Sequence, residues 1–151
     1  MALFLILLPS FLFIKNAYFH PDQLQLSKAD RTQYLEEWSS GHGIIETVQL
    51  IETLAKTKRV AVATEGHFGT LPDGILLNLH NQNVNNIYVE GIGQPIKNIP
   101  DYFWQKAETF DVKLLVVNSH RLQMTLPEKN LLLSFCRPNQ APCLQVWQIE
   151  K

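Results

Sequence analysis

Lys58-Arg59-Val60-Ala61-Val62-Ala63-Thr64-Glu65-Gly66-His67-Phe68-Gly69-Thr70-Leu71-Pro72-Asp73-Gly74-Ile75 decides the architecture. An apolar run, Val60 to Ala63, stands between two cations and a Gly-containing turn. Such a run reads as a strand buried on both faces. The turn Thr64 to Gly69 leads into a helix predicted over Leu71 to Leu79, with Pro72 in its first turn, where a missing N–H is harmless. Strand, turn and helix form the first half of a parallel βαβ unit.

Upstream, Ile44 to Lys56 reads as an amphipathic helix, with Ile44, Val48, Ile51 and Ala55 at helical spacing. The loop Ser39-Ser40-Gly41-His42-Gly43 precedes it, and Asp30 to Trp38 holds a short helical turn. Downstream, Asn81 to Asn86 is a turn, Ile87 to Glu90 a second strand, Tyr102 to Phe110 a third helix announced by Pro100-Asp101, and Val112 to Val117 a third strand. Leu131 to Cys136 and Leu144 to Ile149 then form an antiparallel pair at one edge. The expected fold is α/β: a three-layer, Rossmann-like, mostly parallel sheet with a C-terminal antiparallel strand pair.

The first residues differ from the rest. Met1 to Ile14 is apolar and uncharged but shorter than the roughly 20 residues of a spanning helix. Three readings stay open: the outer end of a transmembrane helix that begins upstream, a signal peptide or short anchor, and a buried element of a soluble protein. The leading division is a partial transmembrane helix or anchor over 1–19, a connector over 20–29, and an α/β domain over 30–151. Few cations follow the apolar run, so the positive-inside tendency puts the domain outside the cytoplasm. The formal charge of −1 and the lack of a basic stripe exclude a nucleic-acid footprint.

Topology says where a ligand would sit. In open α/β sheets it lies at the carboxyl ends of the strands. The candidate binding residues are therefore Ser40, Gly41, His42, Gly43, Glu65, Gly66, His67 and Asn118, with two Gly-preceded helix starts offering N–H groups to an anion. Each has a bland alternative as turn or cap. Glu65 and His67 also suit an acid–base pair, which is the reading as a free-standing enzyme. Neither a phosphate-loop motif nor any cofactor signature is present. No Cys/His spacing typical of zinc occurs, although His42, His67 and His120 share the expected rim. Cys136 and Cys143 pair in an oxidising compartment and are plain thiols in the cytosol.

Two segments carry a family likeness. Asp30-Arg31-x-Gln33-Tyr34-Leu35-Glu36-x-Trp38-x-Ser40-Gly41-x-Gly43-Ile44 and Val62-Ala63-Thr64-Glu65-Gly66-x-Phe68-Gly69-x-Leu71-Pro72-x-Gly74 resemble the C-terminal soluble region of bacterial multi-pass (GT-C type) glycosyltransferases. These are relatives of dolichyl-phosphate-mannose–protein mannosyltransferases. The likeness runs from about Leu8 onward and includes Arg137-Pro138, although members often continue with Gly-Gly where this chain has Asn139-Gln140. It implies sugar transfer from a polyprenyl-phosphate donor at the outer membrane face, with a sugar-bearing lipid or a glycan acceptor as partner. The family's catalytic acid lies in an early loop with no counterpart here, so the resemblance implies an accessory domain and assigns no catalytic residue. The rival reading is a membrane-anchored module that binds a glycan or a phosphate-bearing ligand.

Overall fold

The computed structural model describes residues 2–79 and 86–151. It is α/β, with one five-stranded mixed sheet in the order β2-β1-β3-β5-β4. The strands are β1 (Val60–Thr64), β2 (Ile87–Gly91), β3 (Val112–Asn118), β4 (Leu131–Phe135) and β5 (Leu144–Gln148). β1 runs parallel to β2 and β3, whereas β5 is antiparallel to β3 and β4. Every residue of β1 is buried, because neighbours flank it on both sides and apolar layers cover both faces. The outermost β4 shows the alternating burial of an edge strand.

The helices are α1 (Ala2–Phe19), α2 (Lys28–Arg31), α3 (Ile44–Ala55), α4 (Thr70–Leu79) and α5 (Asp101–Lys106). One face of the sheet packs Val60, Val62, Leu114, Val116 and Val146 against Val48 and Ile51 of α3 and Leu71, Ile75 and Leu79 of α4. The other face packs Ala61, Ala63, Leu115 and Trp147 against Phe103 of α5 and the Ile92–Ile99 segment. The small alanines of β1 leave room for the Phe103 ring. Each fully buried aliphatic or aromatic side chain stabilises the fold by about 1.5–3 kcal/mol. An exposed pair such as Lys106–Glu90 adds about 0–1 kcal/mol. The two apolar layers therefore decide the architecture.

Three expectations need adjusting. The helix expected over Tyr102 to Phe110 ends at Lys106. The chain must turn there to enter β3, and Arg59 fixes that turn: its N–H donates to Asp111 Oδ2 at 2.7 Å, while its carbonyl accepts from the N–H of Asp111 at 2.9 Å. The connector expected over 20–29 holds a 3-10 turn over Pro21–Gln23 and the start of α2, whose first turn Ser27 caps at Asp30. The apolar N-terminus is helical through Phe19, but no helix among the described residues is long and apolar enough to cross a membrane. The turn expected at Asn81 to Asn86 falls, except for Asn86, outside the described residues.

Topology fixes the place of interest. The chain leaves β1 through α4 toward β2, and leaves β3 toward the opposite edge. The carboxyl ends of β1 and β3 therefore flank the switch point, where open α/β sheets hold their ligands.

Candidate functional site

Glu65, one residue beyond β1, fills that switch point. It is 2% exposed. Its carboxylate accepts from the Asn118 backbone N–H at 2.9 Å, from Asn118 Nδ2 at 2.5 Å and from Arg121 Nη1 at 3.0 Å. Arg121 also donates to Gln94 Oε1 at 2.5 Å. Its carbonyl accepts from the N–H of Ile96 at 2.8 Å. One ion pair thus ties β1, β3 and the segment after β2 together. Three donors, one of them cationic, converge on this buried carboxylate and commit it to holding the fold together.

Gly66 and Gly93 form a two-way backbone bridge, Gly66 N–H to Gly93 O at 2.8 Å and Gly93 N–H to Gly66 O at 3.2 Å. Both have positive φ, 78° and 95°. Gly91 lies under this bridge, where a Cβ would stand 2.3 Å from Gly66 O. His67 leans to the same side, its Nδ1 3.2 Å from Gly91 O. Glu65 and His67 bond to different partners, so the structure does not join them as an acid–base pair.

The two helix starts differ. At α4 the Gly69 N–H donates to the first-turn carboxylate of Asp73 at 2.8 Å, so an internal anion holds that position. At α3 the Phe135 ring lies so close to Gly43 that a Cβ there would meet it at 2.7 Å.

Ser40 and His42 belong to a different part of the rim. They line a cleft of about 690 Å3 together with Asp22, Tyr34, Arg137 and Pro138. Ser40 Oγ accepts from Arg137 Nε at 3.1 Å and from the His42 N–H at 3.4 Å. Gly41, at φ 71°, makes the turn between them. Arg137 Nη1 donates to the carbonyl of Pro142. The Cys136–Cys143 disulfide closes the turn that carries Arg137. Burial pushes the Arg137 guanidinium below its ordinary pKa; Glu65 and Glu37 act against this, and Arg121 adds to it. The folded chain therefore holds this proton less tightly than the unfolded chain. The resulting cost is present at every pH below the lowered value and fades only as strongly alkaline solution removes the proton.

The expected residues thus separate into a sealed Glu65–Asn118 bridge, a Gly66–His67 side bound to β2, and the Ser40–His42 wall of a cleft. No group of His, Cys, Asp and Glu among the described residues is arranged to hold a metal ion. Arg121, Gln94 and Arg137 escaped the sequence reading as site residues. The signal for Arg137 was a cation directly after an apolar strand and beside a cysteine. Arg121 gave none, since its partner lies 56 positions away. No protein-family model matches the chain, and neither curated proteins nor solved structures give a significant match to it.

Proposed function

We propose that this chain is the extracytoplasmic C-terminal domain of a membrane glycosyltransferase that uses a polyprenyl-phosphate sugar donor, and that its role is accessory rather than catalytic. The observation that carries the accessory role is the state of Glu65. The acidic residue at the switch point is buried and engaged by three donors, so it serves as a brace within the fold rather than facing a substrate. The segments Asp30 to Ile44 and Val62 to Gly74, through their likeness to that enzyme class, supply the membrane context. The chemistry then belongs to membrane helices outside these 151 residues.

Location rests on two further features. α1 exposes Phe11, Phe13, Ile14 and Phe19, and its sequence is apolar on all sides, as suits contact with lipid. The Cys136–Cys143 bond suits an oxidising compartment. The second reading, an anchored module that captures a glycan or a phosphate-bearing ligand, is favoured by the cleft beside Arg137. Alkaline phosphatase fused after Lys151 in a bacterial host tests the location. An active reporter is expected, and an inactive but intact fusion would place the domain in the cytoplasm and end this reading.

A further inference from the structure

We propose that the cleft beside Arg137 is an oxyanion site, taking a phosphate or carboxylate group of a small hydroxyl-bearing ligand. Arg137 is 4% exposed, yet no carboxylate lies within 4.0 Å of it among the described residues. The remaining residues contain no Asp or Glu. Arg121, by contrast, has its carboxylate partner at 3.0 Å. Buried charges are as a rule paired, because taking a lone ion out of water costs several kcal/mol or more.

The hydrogen bonds locate the open valence. Nε is committed to Ser40 and Nη1 to Pro142, while Nη2 has no partner among the described residues. Asn118 Oδ1 is the one fully enclosed side-chain N or O without a partner among those residues, so Nη2 is not sealed off. Arg137 lines the cleft, whose size suits a small ligand. Nη2 of the cationic guanidinium offers charge-assisted N–H donors that suit a phosphate or carboxylate oxygen alike. The disulfide on one side and the Ser40 bond on the other hold the guanidinium in place before any ligand arrives.

The rest of the lining narrows the ligand. Asp22 stands on the same cleft. A carboxylate there accepts from hydroxyl groups and repels a second anion. His42 adds a ring nitrogen and Tyr34 a ring face. The site therefore fits one oxyanion attached to a polyol better than a polyanion. Such an oxyanion comes either from a soluble compound or from a lipid headgroup.

The test is amide NMR on the full chain in neutral detergent, titrated with inorganic phosphate, acetate, glucose 1-phosphate and glucose. A parallel arm uses phosphatidylcholine vesicles with and without phosphatidic acid. Saturable shifts at Ser40, His42, Arg137 and Asn139 are expected with the oxyanions and not with glucose. Shifts from the soluble probes assign a soluble source, whereas shifts from phosphatidic acid vesicles alone assign a lipid headgroup. Arg137→Gln should weaken binding at least about tenfold, with Arg137→Lys between the two. Should Arg137→Gln lose its fold, the wild-type map decides. No saturable shift at these residues with any oxyanion, or wild-type affinity in folded Arg137→Gln, would overturn the site.

Discussion

Two residues show how local chemistry sets stability here. Removing Glu65 strands the Asn118 backbone N–H and Nδ2 and leaves Arg121 without the carboxylate it pairs with. Glu65→Ala should cost about 3–5 kcal/mol, the usual penalty for breaking a buried ion pair from one side, as read by urea unfolding. A loss below about 1 kcal/mol would mean that the bridge braces nothing. Gln140 makes the opposite case. It and Asn139 sit at φ 59° and 55°, in the left-handed region that favours glycine. Asn139 offsets its strain with a 2.5 Å bond to Glu36, whereas Gln140 has no such bond among the described residues. Gln140→Gly should therefore stabilise the fold by about 1 kcal/mol, and a destabilised variant in thermal unfolding would contradict the strain. Glu65 was legible as a strand-end acid and a site candidate. Its partner Arg121 was not, because nothing local links residues 56 positions apart.

At the scale of elements, glycines and the disulfide set how the loops meet. Gly91→Ala would drive a Cβ into the backbone of Gly66 and His67, at 2.3 and 2.8 Å. Gly41→Ala meets nothing within 4 Å and bears only the cost of its 71° φ. The first should lose more than about 2 kcal/mol and the second about 1–2 kcal/mol. Equal losses in parallel unfolding curves would mean that the β1–α4 loop does not rest on the end of β2. The Cys136–Cys143 bond closes a short turn, and the chain-entropy estimate gives about 2–3 kcal/mol. Protein exported from the cell and denatured without reductant should show no free thiol. Two free thiols would remove the bond. The strands were readable because their apolar runs are continuous or alternate cleanly. The third helix was overread, because the apolar pattern runs on to Phe110 while the Arg59–Asp111 contact turns the chain earlier. That contact pairs distant residues, which periodicity does not register.

For the whole molecule, alternation of helix and strand followed by two strands led directly to the mixed sheet and its three layers. The rim was placed by topology, but its internal division was not. Whether an acid at a switch point is a catalyst or a brace depends on donors that reach it from other loops. Here the donors make it a brace, and under the proposed function sugar transfer falls to membrane helices beyond these residues. The most direct measurement is sugar transfer by residues 1–151 in membranes, supplied with labelled polyprenyl-phosphate sugar and candidate acceptors. No turnover above background is expected, for the intact chain and for Glu65→Gln alike. Turnover by the intact chain that vanishes in folded Glu65→Gln would contradict it and make this a self-contained enzyme.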